Sequence, residues 1–133
     1  MREILFRGKR IDNGKWVEGF YVEDPFCDCY EICDVNSDTY QREDVYPSTV
    51  GQYTGLKDKN GKRIFEGDIC RNTKTGEIVS VKWHGTMAGF VWNKRKENSH
   101  LSDFGELFRV YDKYEVIGNI HDNPELMEVQ GDG

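Results

Sequence analysis

The sequence predicts a mainly β protein, and three observations carry that expectation. Ile78, Ser80 and Lys82 alternate with Val79, Val81 and Trp83, the period-two pattern of a strand with one buried face. Two Asn-Gly pairs, Asn13-Gly14 and Asn60-Gly61, supply residues that accept the positive φ of tight hairpin turns. Only residues 101–111 hold enough apolar residues at helical spacing to suggest a helix.

The elements follow in chain order. Residues 3–7 form a short apolar-centred run that stops at Gly8. The turn at Asn13-Gly14 leads into a strand over 15–22. Asp24-Pro25 ends it, because proline has no N–H to give to a ladder. A second strand is expected over 30–35, and Asn36-Ser37-Asp38 reads as a turn. Residues 48–55 are β-prone, with Gly51 and Gly55 permitting bends or bulges. Asn60-Gly61 closes the next hairpin, before strands over 69–72, 77–83 and 89–93. The last strand is expected over 114–120, ended by Asp122-Asn123-Pro124. A helix is suggested only over 101–111, where Leu101, Phe104, Leu107 and Phe108 recur at helical spacing and Gly105 interrupts.

Glu66-Gly67-Asp68-Ile69 resembles the lead-in to a strand in SH3-like barrels. There the glycine allows a sharp turn and the aspartate accepts hydrogen bonds from backbone N–H groups. The short, closely spaced strands that follow suit a small barrel. The expected architecture is thus an SH3-like β-barrel with a C-terminal strand over residues 51–133. A smaller N-terminal β unit occupies residues 1–50, few residues are helical, and the two parts can form one compact domain.

The chain has 133 residues, 24 acidic and 18 basic, for a net charge of −6. The total conceals a pattern. Residues 1–56 carry 6 basic and 11 acidic side chains, residues 57–96 carry 10 and 4, and residues 97–133 carry 2 and 9. A basic middle of +6 therefore lies between acidic ends of −5 and −7. The 7 Phe, 7 Tyr and 3 Trp argue against a disordered acidic chain. No apolar run approaches the ~20 residues that span a bilayer. The first residues return to charge after Ile4-Leu5-Phe6, too soon for a signal peptide. A cytoplasmic protein without membrane partners is expected.

Cys27, Cys29 and Cys33 are the candidates for a metal site, but their spacing departs from the Cys-x-x-Cys pairs of zinc sites. His84, His100 and His121 are scattered among polar residues and glycine. Plain packing of the thiols is expected rather than metal or disulfide. No cofactor is expected. No Ser-His-Asp order, phosphate loop or metalloprotease helix is present, and Asp58, Glu66 and Asp68 sit in turns that normally face water. The protein is expected not to be an enzyme.

The block 46–69 contains the distinctive run Gln52-Tyr53-Thr54-Gly55-Leu56-Lys57-Asp58-Lys59-Asn60-Gly61-Lys62. With Phe6-Arg7-Gly8-Lys9, Gly14-Lys15-Trp16-Val17-Glu18-Gly19 and the ending Glu115 to Leu126, it resembles the YopX proteins of phages and prophages. The resemblance implies a small phage-encoded accessory protein with a β-barrel fold, and supplies no catalytic residues to carry over. Two functions then compete. The basic middle and acidic ends suit a protein-binding or self-assembling module, with a second copy or a host or phage protein as partner. The alternative is a nucleic-acid-binding barrel using segment 57–96, with Lys82, Trp92, Lys94, Arg95 and Lys96 as contacts. The acidic flanks disfavour it.

Overall fold

The structure, a computed structural model, describes residues 4–24, 26–85, 89–94 and 111–128. Ten strands make up most of it: β1 Phe6–Lys9, β2 Trp16–Asp24, β3 Cys29–Asp34, β4 Arg42–Asp44, β5 Gly51–Lys57, β6 Arg63–Phe65, β7 Asp68–Asn72, β8 Ile78–His84, β9 Gly89–Lys94 and β10 Tyr114–Asn119. Single 3-10 turns occur at Pro47–Thr49, Tyr111–Lys113 and Pro124–Met127. The class is mainly β, as the alternation and turn residues predict. The helix expected over 101–111 lies, but for Tyr111, outside the described residues.

The strands form two antiparallel sheets, ordered β4-β3-β2-β1-β5-β6 and β10-β7-β8-β9. The chain divides into two compact units, Met1–Gly55 and Leu56–Gly133. No closed barrel is found among the described residues. Strand β5 opens the segment 51–133 expected to form the SH3-like barrel. Its first residues pair with β1, Arg7 opposite Gly51 and Phe6 opposite Gln52.

Within the first unit, β1 and β2 form the hairpin that Asn13-Gly14 predicts. Gly14 has φ +70°, and Asn13 Oδ1 accepts the Lys15 N–H at 2.9 Å. Val17, Ile32 and Val45 form the buried centre, with Phe6, Tyr21, Tyr30 and Val50 packed around it. Strand β4 escaped the sequence reading because Arg42-Glu43-Asp44 carries no apolar alternation. It is the edge of its sheet, where charges discourage further pairing.

The second unit is built on Ile64, Cys70, Val79, Val81, Phe90, Trp92 and Tyr114, with Leu56 and Val116 against them. Trp92 and Tyr114 stack with ring centroids 4.5 Å apart. The alternation in β8 is real on this side, since Val79 and Val81 are buried together. The opposite side is no less enclosed: Ile69, Ser80 and Val91 are also buried. Period two therefore under-reads this strand.

Candidate functional site

Two of the three acidic residues of the distinctive block, Asp58 and Asp68, are structural. Asp58 is buried, and its carboxylate accepts three backbone N–H groups. Oδ1 takes those of Asn60 at 2.8 Å and Lys62 at 2.9 Å, and Oδ2 takes that of Val116 at 2.8 Å. One side chain thus closes the Asn60-Gly61 turn and ties it to β10. Asp68 is buried too, and its Oδ2 accepts the Phe65 N–H at 2.7 Å, as the Gly67-Asp68 corner predicts. Carboxylates engaged by backbone amides are not poised to act as acid and base on one bond.

Burying two of the four acids in segment 57–96 leaves its outer surface more basic than its sequence. Lys57, Lys59, Lys62, Arg71, Lys74 and Lys82 are all exposed. Three of them, Lys59, Arg71 and Lys74, line an open hollow of about 530 Å³ with Glu115 and the turn Asn72 to Gly76. The hollow has a defined frame. Asn72 Oδ1 accepts the N–H groups of Lys74 at 2.8 Å and Thr75 at 3.0 Å. The Lys59 N–H donates to the Tyr114 carbonyl and the Thr73 N–H to the Lys113 carbonyl, both at 3.0 Å. Arg71 forms an ion pair with Glu115 across the β7–β10 ladder. The lysines outnumber the remaining acid, so the hollow suits an anionic group.

Of the residues proposed from sequence for nucleic acid, the surroundings of Lys82 and Trp92 are described. Lys82 is exposed. Trp92 is wholly buried against Tyr114, so its ring has no face to offer a base, a correction to its expected role. Lys94 ends β9, and Arg95 and Lys96 lie outside the described residues. Among the described residues of segment 57–96 the exposed aromatic is Trp83, 46% exposed and edge-on to Phe90 at 5.1 Å. Alternation placed Trp83 with Val79 and Val81 on a buried face, but it stands near the end of the β8–β9 hairpin, past the core.

The cysteines also divide. Cys70 packs in the core of the second unit, as expected of a small hydrophobe. Cys27 and Cys29 form a disulfide at the exposed tip joining β2 to β3, which corrects the expectation that they simply pack. Cys33 is a free, half-buried thiol. Among the described residues no group of three or more His, Cys, Asp or Glu side chains is arranged to hold a metal ion. No described helix is long and apolar enough to cross a membrane.

The family model described as YopX protein matches residues 5–128, nearly the whole chain. The chain belongs to the YopX family. The resemblance in blocks 6–19, 46–69 and 115–126 therefore extends through the segments between them. Among solved structures, this YopX chain is similar to protein EF1440 from Enterococcus faecalis. The two share 24% identity at a TM-score of 0.60, over 96% of this chain and 100% of that one. At that identity the likeness speaks for the fold. The curated proteins searched contain no match.

Proposed function

We propose that this YopX chain is a non-catalytic binding module that self-associates head to tail, the acidic N-terminal unit of one copy meeting the basic hollow of another. The observation that supports this most directly is the burial of Asp58 and Asp68, which leaves Lys59, Arg71 and Lys74 facing solvent around the hollow. Residues 1–55 carry 11 acidic and 6 basic side chains, a net charge opposite to the +6 of segment 57–96. Complementary patches at different places on one chain make heterologous contacts, which build rings or filaments. The family resemblance adds the setting, a phage or prophage accessory protein in the bacterial cytoplasm. The SH3-like reading of residues 51–133 belongs to the same proposal, supported by the Gly67-Asp68 corner and the short strands after it.

Light scattering across a salt series tests the assembly. At low salt the expected mass is at least twice that of the monomer, falling to the monomer at high salt because exposed charge pairs are screened. The double variant K59E/K74E should remain monomeric in low salt. A monomer at every salt concentration rejects the proposal.

The exposed ring of Trp83 favours the second reading, single-stranded nucleic acid held by stacking. It predicts a low-salt mobility shift that W83A weakens about tenfold or more, stacking being worth ~1–3 kcal/mol per base. No shift at low salt rejects it.

A further inference from the structure

The β2–β3 tip carries chemistry that the binding reading does not use. Strand β2 ends at Asp24, β3 begins at Cys29, and these two residues are already paired across the ladder. The disulfide joins Cys27 to Cys29, two positions apart, within that closed turn. Cross-linking so short a loop removes little freedom from the unfolded chain, and the hairpin it sits in is held by six ladder pairs without it. Architecture therefore does not account for the bond. Its surroundings are open: Phe26 is fully exposed, and Cys27 and Asp28 are exposed beside it.

The tip is also one-sided in charge. Glu23, Asp24, Asp28 and Glu31 lie within or next to it, and residues 16–41 contain no lysine or arginine. Asp24 Oδ1 accepts the Phe26 N–H at 3.0 Å, and Asp28 Oδ1 accepts the Tyr30 hydroxyl at 3.0 Å. The carboxylate beside it holds the Tyr30 phenol above its ordinary range. Arg42, from β4, reaches only Glu31, at 3.5 Å. An attacking thiolate that brings further negative charge is repelled here, whereas one that carries its own ammonium group is not.

We propose that Cys27 and Cys29 form a reversible thiol–disulfide exchange site for small thiols that carry a positive charge. A thiolate RS⁻ attacks Sγ of the exposed Cys27, forming an S–S bond to it. The Cys27–Cys29 bond breaks, and Cys29 leaves as a thiolate that takes a proton. A second RS⁻ then attacks the R-bearing sulfur of the mixed disulfide, releasing RSSR and the Cys27 thiolate, which is protonated in turn. The two electrons come from the two external thiols, and the reverse sequence, with RSSR as oxidant, restores the bond. Cys33 takes no part. It lies four residues along β3 from Cys29, about 13 Å at strand rise, beyond disulfide reach.

The test uses the full folded chain, treated with cysteamine or with mercaptoacetate at equal thiolate concentration. Freed thiols are trapped with N-ethylmaleimide and located by peptide mass spectrometry. The expected result is paired labelling of Cys27 and Cys29, about fivefold faster with cysteamine at low salt once each rate is divided by that thiol's rate with an uncharged small disulfide, the normalised ratio approaching one at high salt. Circular dichroism should be unchanged on reduction. The variant C29S, given cystamine, should accumulate a single cysteamine adduct on Cys27. Labelling of both residues before any thiol is added would overturn the proposal. So would labelling only after denaturation, equal normalised rates for the two thiols at low salt, or no adduct on C29S.

Discussion

Asp58→Ala should lower the unfolding free energy by about 3–5 kcal/mol, a large part of the ~5–15 kcal/mol of a typical domain. The carboxylate is buried and accepts the N–H groups of Asn60, Lys62 and Val116. Alanine leaves three donors to find water in a site that is largely closed to it. Hydrogen bonds to a charged group are each worth ~1.5–3 kcal/mol, and part of that returns as the loop opens. Asp58→Asn separates the contributions. Its amide oxygen can keep the turn contacts, while its NH₂ group meets the Val116 N–H donor to donor, so an intermediate loss of about 1–3 kcal/mol is expected. Urea denaturation of the three proteins measures both. A loss below ~0.5 kcal/mol for the alanine variant would remove Asp58 from its structural role.

Gly19→Ala should be at least as damaging, for a steric reason. A Cβ at this position would stand 1.8 Å from the Cys33 carbonyl oxygen and 2.8 Å from its carbon. Both are backbone atoms of the paired strand, so no side chain can swing aside. Strands β2 and β3 would have to part where Gly19 faces Asp34, dragging Ile32 from the centre of the first unit. A cost above ~3 kcal/mol, or failure to accumulate as soluble protein, is expected, on the scale of losing a core residue. Gly14→Ala is the control. Nothing lies within 4 Å of its added Cβ, and only the φ of +70° resists, so about 1 kcal/mol is expected. A Gly14 variant less stable than the Gly19 variant would contradict the packing argument. The two glycines look alike in the sequence and serve different needs: one bends the chain, and the other lets a second backbone approach.

The strands that could be read in advance are those whose cause is local. Asn13-Gly14 and Asn60-Gly61 turn where their residue types say they should, and both glycines take positive φ. Strand β2 stops at Asp24, before Pro25, and the strand expected over 114–120 appears as Tyr114–Asn119. Strand β4 was missed because an edge strand selects for charge rather than alternation. Trp92 was assigned to a binding surface because β9 is buried on both sides, which leaves no polar face to mark the apolar one.

The candidate site was legible only in outline. The +6 of segment 57–96 showed in the sequence, but two of its four acids turn inward to cap backbone amides. Lys59 lies twelve residues before Arg71 and shares a hollow with Arg71 and Lys74 because the Asp58 turn and the Asn72 turn are both anchored to the β10 region. The disulfide was discounted on compartment alone, whereas its formation depends on how a turn brings two Cβ atoms together.

Composition, turn residues and the block 46–69 were enough to establish the class, the main hairpins and the family, because each is a property of neighbouring residues. Strand partners, the side of a strand that meets solvent, and the reach of a buried carboxylate were not. They depend on pairings between distant segments, where β1 takes the edge of β5 and Asp58 reaches Val116. Long-range contacts of this kind are selected by the free energy of the whole packed chain, and no short window of sequence holds both partners.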